Sequence, residues 1–170
     1  MNPAVLLAKE AVENYIKEEK TIEIPKDLPK NLNDQKAGVF ITIEKDDNLR
    51  GCIGTYLPTK ENIAKEIIHN AIAAATIDYR FDPIQRDELN SLSYTVYILN
   101  KPELIEDIKE LDPKKYGIIV KTDSKTGLLL PDLEGIETIE QQVSTACQKG
   151  GLNPTKEQII IYKFTVEKYQ

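Results

Sequence analysis

One order of elements occurs twice along this chain of 170 residues. A glycine leads into a β-branched strand, a polar turn returns the chain as a hairpin, and a helix and another strand follow. The first copy is predicted as strands 38–44 and 49–55, a helix over 60–76 and a strand over 92–99. The second is predicted as strands 117–121 and 128–131, a helix from Thr138 to Gly150 and a strand over 159–166. Such a duplication predicts an α+β fold with mainly antiparallel sheet, flanking helices and a groove where the copies meet.

The chain is predicted to form a single domain over residues 1–170, with approximate halves 1–100 and 101–170. Its N-terminal helix should cover 3–19, because Asn2 is a good N-cap and Pro3 suits the first helical position. Two prolines within 21–34 indicate an extended connection that lies against the body of the protein.

The strand Leu49–Thr55 is unusual because two glycines, Gly51 and Gly54, interrupt it. Glycine inside a strand marks a bulge, or a place where another backbone or a ligand comes close. Side chains alternate along a strand, so Arg50 and Cys52 should share a face about 7 Å apart. A guanidinium beside a thiol favours the more reactive thiolate. This strand is therefore the first place where a reactive or ligand-binding site is expected.

The matching strand of the second copy carries only leucines before its proline. The arginine and the cysteine are therefore predicted to be specific to the first copy. Arg50 could form an ion pair within the fold, or it could bind a carboxylate or phosphate bidentately. The backbone N–H groups of Gly51 and Gly54 could help to hold the same anion. Alternatively, these glycines serve a bulge that curves the hairpin.

Charge and composition exclude several classes of protein. The chain has 22 basic and 28 acidic residues and a net charge of -6, which argues against nucleic-acid binding. No apolar run approaches the ~18 residues of a membrane span, and the start is charged too early for a signal peptide. The expected location is the cytoplasm. Two cysteines and one histidine supply neither a disulfide framework nor a tetrahedral zinc site, so no metal and no cofactor are predicted.

The segment Leu49-Arg50-Gly51-Cys52-Ile53-Gly54 matches the signature hexapeptide of the AMMECR domain family, whose prokaryotic members are named AmmeMemoRadiSam system protein A. The resemblance extends over nearly the whole chain in the expected order. The other matching stretches are Gly38-Val39-Phe40, Asn70–Ala75, Asp78–Ile84 with its D-x-R-F-x-P pattern, Asp87-Glu88-Leu89, Gly117–Val120, Leu129–Pro131 and Cys147–Leu152.

The resemblance implies a two-lobed α+β fold with pseudo-symmetric halves, in agreement with the repeat. The family name associates these proteins with Memo-like and radical SAM proteins, which become candidate partners. The resemblance implies no settled activity. This sequence departs from the family pattern at 132–137, where relatives usually carry a longer loop with a tryptophan. Any site formed by that loop would be altered here.

Cys52 has two interpretations. It could be a small apolar residue packed in a strand, as free cysteine commonly is, or an activated thiolate acting as nucleophile or redox thiol. The thiolate interpretation lacks a base to take the proton of the thiol. Helical spacing places the only histidine, His69, with Lys65 and Glu66 on the polar side of its helix. Cys147 lies on the apolar side of its helix and is predicted to pack.

Arg80 lies in the 78–84 loop, and loops carry functional residues more often than cores do. Alternatively, Arg80 holds that loop in shape by bonding backbone carbonyl groups. The candidate ligand-binding residues are Arg50, Gly51, Gly54, Thr55 and Arg80, and the candidate catalytic residues are Cys52 and Arg50.

Two functions remain open. The first is an enzyme or enzyme subunit that binds a small anionic ligand in a groove lined by Leu49–Thr55. The second is a non-catalytic adaptor that presents this surface to a partner protein, and the lack of an acid or base beside the thiol favours it.

Overall fold

The computed structural model describes all 170 residues, Met1–Gln170, as two units: Met1–Leu99 with Glu167–Gln170, and Asn100–Val166. The helices are α1 (Pro3–Glu18), α2 (Lys30–Asp34), α3 (Ile63–Thr76) and α4 (Ile139–Gly150), with 3-10 helices at Arg86–Ser91 and Ile108–Glu110. The strands are β1 (Val39–Lys45), β2 (Asn48–Thr55), β3 (Leu92–Leu99), β4 (Glu103–Leu104), β5 (Gly117–Lys121), β6 (Thr126–Leu129), β7 (Ile160–Phe164) and β8 (Val166–Tyr169). None of the helices is both long enough and apolar enough to cross a bilayer.

The first unit is built on a four-stranded sheet in the order β2-β1-β3-β8. Burial alternates along β1, where Val39, Ile41 and Ile43 are fully buried. These residues belong to one apolar core with residues of α1 and α3. Each such side chain stabilises the fold by about 1.5–3 kcal/mol. The predicted cap of α1 is confirmed, because the Asn2 side chain accepts a hydrogen bond from the backbone N–H of Ala4.

The second unit has a sheet in the order β4-β7-β5-β6, and α4 packs on it. Its core includes Ile118, Leu129 and Cys147. The predicted capping box of α4 is confirmed, because Thr138 and Gln141 bond each other's backbone N–H groups.

The predicted fold class, α+β with antiparallel sheets and flanking helices, is confirmed, and both units share one strand arrangement. In each sheet the two hairpin strands are followed by the strand after the helix and then by a fourth strand. The fourth strands are exchanged along the chain: β4 follows β3 in sequence but pairs with β7, whereas β8 follows β7 but belongs to the sheet of β3. The single final strand predicted over 159–166 is therefore wrong. No glycine or proline interrupts that run, so its pattern does not reveal where the chain changes sheets.

Candidate functional site

Gly51 sets how closely β2 approaches α3. A Cβ added at this position would lie 2.2 Å from the backbone carbonyl oxygen of Ala74. That distance is far below any real Cβ contact, so only glycine permits this packing of strand on helix. The neighbouring Cys52 points to the opposite face of the sheet, where Thr42 is its partner on β1.

The second unit uses the same device. A Cβ at Gly127 would lie 2.0 Å from the carbonyl oxygen of Ala146 on α4. Gly127 lies within β6, not in the turn where the sequence placed it, because β6 covers residues 126–129. The predicted all-leucine counterpart is therefore wrong: Thr126-Gly127-Leu128 corresponds to Arg50-Gly51-Cys52. The glycine is common to both hairpins, whereas the arginine and the thiol occur only in the first.

A β-bulge places Arg50. Ile43 pairs with Gly51 and Glu44 pairs with Leu49, which leaves Arg50 as the extra residue of β2. Simple alternation does not hold through a bulge, so the spacing of Arg50 and Cys52 no longer places their side chains on one face. The predicted bulge in this hairpin is present.

The Arg50 guanidinium forms a bidentate ion pair with Glu88, with Nε to Oε1 and Nη2 to Oε2 both at 3.0 Å. Its Nη1 donates to the carbonyl oxygen of Asp82 at 2.8 Å. Glu88 also accepts from Lys45 at 3.2 Å. The bond from Arg50 lowers the pKa of Glu88 to about 2 despite burial. Of the two predicted roles for Arg50, the ion pair within the fold is the one observed here.

Asp78 anchors both Arg80 and the peptide of Cys52. Its carboxylate accepts from Arg80 Nε at 3.0 Å and Nη2 at 2.7 Å, and from the backbone N–H of Cys52 at 2.9 Å. The Arg80 bond lowers the pKa of Asp78 to about 2, against the effect of burial. The Asp78 side chain is 3% exposed and that of Arg80 is 44% exposed. The carboxylate is thus a buried anchor, and Arg80 is the part that a ligand can reach.

Phe81 brings the two arginines together. The Cζ atoms of Arg80 and Arg50 lie 5.5 Å and 6.0 Å from the centroid of its ring, within the range of cation–π attraction. Arg80 Nη2 also lies 3.4 Å from the carbonyl oxygen of Cys52, which covers the outer edge of β2. Arg50, Phe81 and Arg80 therefore form one ordered group beside Cys52, called here the arginine cluster.

The Cys52 thiol is half-buried, and its hydrogen-bond partner is the hydroxyl of Thr42, with Sγ and Oγ1 3.4 Å apart. Thr42 pairs in turn with Thr95 on β3, which accepts a bond from the Gln170 side chain at 3.3 Å. This row across the sheet is polar but uncharged. The sulfur has a hydroxyl beside it and no carboxylate or imidazole bonded to it.

Thr55, a candidate ligand-binding residue, belongs to a buried polar network. Its Oγ1 donates to Glu66 Oε1 at 2.7 Å and accepts from the Asn70 side-chain amide at 3.2 Å. Asn70 also donates to the carbonyl oxygen of Val39 at 2.9 Å. The observed contacts of Thr55 thus join the end of β2 to α3. Gly54 makes a different contact, because an added Cβ would meet the ring of Phe40 at 2.2 Å.

The expected position of Glu66 on the polar side of its helix is wrong, because this side chain is fully buried. Burial alone would raise its pKa, but hydrogen bonds from Thr59, Thr55 and Lys60 outweigh burial and lower it. Helical spacing could not show that residues 55–60 lie over the start of α3 and supply those donors. His69 is exposed, as predicted.

Cys147 is confirmed as a packing residue. It is 2% exposed in the core of the second unit, and burial raises the pKa of its thiol.

Sequence reasoning missed three partners of the site: Asp78, Glu88 and Thr42. Two signals were present in the sequence. Asp78 precedes Arg80 by two residues in the D-x-R pattern, which suits a side-chain pair within a tight loop. Glu88 lies in the Asp87-Glu88-Leu89 stretch, but nothing local connects it to Arg50, 38 residues away.

Acid is expected to destabilise the first unit between about pH 4.5 and 2. Asp78 and Glu88 have pKa values of about 2 when folded, against ordinary values of 3.8 and 4.5. A lowered folded pKa stabilises the protein fully above the unfolded pKa, and this contribution is lost as the pH falls through the folded value. At 1.36 kcal/mol per pKa unit, the free energy of unfolding falls by at most about 2 kcal/mol through Asp78 and about 3 kcal/mol through Glu88. Solvent screening at the exposed side of Arg80 makes the decrease smaller.

Urea unfolding at pH 6, 4 and 3 measures this effect. The double variant Asp78→Asn, Glu88→Gln should be less stable at pH 6 and should lose less stability on acidification than the wild type. An equal loss in both proteins would contradict the assignment.

Comparison with known proteins shows similarity along the whole chain. The AMMECR1 family model matches residues 5–169. A Thermotoga maritima protein is 50% identical over 170 residues, covering 99% of this chain and 98% of that protein. A Clostridium acetobutylicum protein is 43% identical over 170 residues, and the match spans only 36% of its length. The crystal structure of an uncharacterised Pyrococcus horikoshii protein has a TM-score of 0.90 at 36% identity, covering 97% of this chain and 88% of that one.

Proposed function

The chain belongs to the AMMECR1 family, and we propose that its arginine cluster binds a small anionic ligand in a groove lined by Leu49–Thr55. The ligand class is a carboxylate or a phosphate, the groups that guanidinium recognises best. One observation carries the proposal: the Arg80 side chain is 44% exposed, yet Asp78 and Phe81 hold its guanidinium in one orientation. A side chain ordered before binding loses little entropy when the ligand arrives.

The local charge supports an anion. Three cations, Lys45, Arg50 and Arg80, are bonded to two carboxylates, Asp78 and Glu88, so the bonded group carries one excess positive charge. This occurs in a chain whose net charge is -6. An excess cation in this bonded group gives a small anion a local partner in a chain that is acidic as a whole.

Each candidate residue has a role in this proposal. Arg80 contacts the ligand, and Arg50 adds charge while its bond to Glu88 positions it. Cys52 lines the site. Gly51, Gly54 and Thr55 hold β2 in place, and residues 1–170 act as one AMMECR-type domain.

In the enzymatic form of the proposal, Cys52 takes part in the chemistry, and Arg50, held by Glu88, helps to bind the anionic ligand beside it. The Thr42 hydroxyl orients the sulfur at 3.4 Å but is no base at neutral pH. A reaction through Cys52 would therefore need its proton acceptor from the ligand or from a partner protein.

Inorganic phosphate is expected to slow the alkylation of Cys52 by iodoacetamide several-fold. Arg80 Nη2 is bonded to Asp78 and lies 3.4 Å from the carbonyl oxygen of Cys52, so an anion held by Nη1 of the same guanidinium would lie next to Cys52. Iodoacetamide is uncharged, so phosphate acts by covering the thiol and not by repelling the reagent. Mass spectrometry measures the rate at Cys52, and the buried Cys147 serves as internal reference.

Protection should disappear in Arg80→Gln and persist in Arg86→Gln, a variant of an arginine that bonds backbone carbonyls at the end of α1. Protection that survives Arg80→Gln, or no protection at millimolar phosphate, would contradict the proposed site. A Cys52→Ala protein that keeps a phosphate-induced rise in melting temperature would show that binding does not need the thiol.

A second candidate function, a protein-binding adaptor, is favoured by Tyr79. Its side chain is 95% exposed on a loop pinned by backbone bonds from Phe81 to Asp78 at 3.0 Å and from Ile84 to Ala75 at 2.9 Å. Exposed tyrosine beside arginine is the composition of interface hot spots. Memo-like and radical SAM proteins are the partner classes that the family resemblance implies. If Tyr79 is a hot spot, Tyr79→Ala should weaken binding to a purified Memo-like protein about tenfold or more, and unchanged binding would contradict this role.

A further inference from the structure

A groove of about 670 Å³ lies along the outer side of α3 and shares no residue with the arginine cluster. One wall is the segment Thr21–Ile24, and the other is a face of α3 that includes Ile68 and Ile72. At the end of the helix, Ile77 lines the groove and is 70% exposed. The first unit therefore leaves an apolar surface of α3 only partly covered.

The segment Thr21–Ile24 has the features of an unpaired strand. Thr21 and Glu23 are exposed while Ile22 and Ile24 are half-buried, the alternation typical of extended chain. The following Pro25 keeps Ile24 out of the helical region. None of the backbone N–H or C=O groups of residues 21–24 has a hydrogen-bond partner within the protein. An unpaired extended edge next to an apolar groove is a template for the addition of a strand.

We propose that this groove binds an extended segment of a partner protein, which pairs with residues 21–24 as an added strand. Alternate apolar side chains of that segment enter the groove, and basic side chains between them face Glu23. This proposal is independent of the anion site.

Charge decides the kind of occupant. Two charged side chains line the groove: Lys65 forms an ion pair with Glu61, whereas Glu23 forms no ion pair within the protein. With a net charge of -6, the chain also attracts a basic segment at long range. A second copy of this chain would pair the same segment about a two-fold axis, bringing two Glu23 carboxylates together. Like charges at neighbouring cross-strand positions are destabilising, so a basic partner segment is favoured over a dimer.

The test uses a fluorescein-labelled hexapeptide of alternating lysine and valine, with fluorescence anisotropy as the readout. Ile77→Lys is expected to weaken its binding about tenfold, the effect of losing one interface anchor. Leu104→Lys is the matched control, because Leu104 is 58% exposed in the second unit and the change in charge is the same. A peptide of alternating glutamate and valine should bind at least about tenfold more weakly. Bound peptide should also protect the backbone amides of residues 21–24 from hydrogen exchange.

Four results would overturn the proposal. They are no saturation at about 1 mM peptide, equal weakening by Ile77→Lys and Leu104→Lys, equal binding of the acidic peptide, and unprotected amides at 21–24 in the complex. A concentration-dependent dimer that is abolished by Ile77→Lys would show that the groove binds a second copy of this chain and not a partner segment. Because Ile77 is largely exposed, its variant should fold, and Glu23→Lys provides a second fold-neutral variant that should reverse the charge preference.

Discussion

Replacing Glu66 by alanine is expected to lower the free energy of unfolding by about 4 kcal/mol. The carboxylate is fully buried and accepts four hydrogen bonds: from the hydroxyls of Thr55 at 2.7 Å and Thr59 at 2.6 Å, and from the backbone N–H groups of Thr59 and Lys60, both at 2.8 Å. Removing it leaves these donors without their acceptor, at about 1–3 kcal/mol for each group that stays dry. The loss of negative charge in the first turn of α3 adds a smaller cost.

Glu66→Gln should cost only about 1–2 kcal/mol. The amide can keep its oxygen on the two backbone N–H groups and turn its NH2 toward the two hydroxyls, which can accept as well as donate. Urea unfolding followed by circular dichroism at pH 7 measures both variants. The control is Glu61→Gln, whose side chain is 77% exposed in a surface ion pair and whose cost should stay within about 0.5 kcal/mol. A Glu66→Ala cost below about 1 kcal/mol would show that water replaces the carboxylate and that the network is not what holds residues 55–60.

Gly51→Ala is expected to cost about 3 kcal/mol or more. The new methyl group would overlap the backbone carbonyl of Ala74, and backbone cannot turn aside as a side chain can. Strand β2 would have to move away from α3, which opens the core on that side. Gly54→Ala should cost less, about 1–2 kcal/mol, because its Cβ meets Cγ of Phe40, a side-chain atom that can move aside by a change in χ1 where a backbone carbonyl cannot.

Thermal and urea unfolding measure the two glycine variants against Leu49→Ala. Leu49 lies in the same strand and is 42% exposed, so its loss should cost under about 1 kcal/mol. Equal costs for Gly51→Ala and Gly54→Ala would contradict the close approach of β2 to α3. Gly127→Ala tests the repeat itself, because the matching contact with Ala146 predicts a comparable loss in the second unit.

The sequence by itself determined the α+β class, the repeated hairpin-helix-strand order and the two helix starts at Asn2 and Thr138. These features depend on hydrophobic periodicity and on side chains that bond backbone within a few residues, so local pattern is sufficient. It also located the Leu49–Thr55 strand and gave a bulge as one explanation of its glycines, because glycine weakens a strand interior and is typical of bulges and of close backbone contacts.

Only the tertiary structure decided what surrounds that strand. The partner of Arg50 is Glu88, 38 residues away, and the carboxylate that holds the Cys52 peptide is Asp78, 26 residues away. Likewise, the burial of Glu66 and the change of sheet between β7 and β8 depend on how distant segments meet. The energy of each such contact depends on its burial and geometry. Neither can be read from the residue types and their spacing along one segment of the chain.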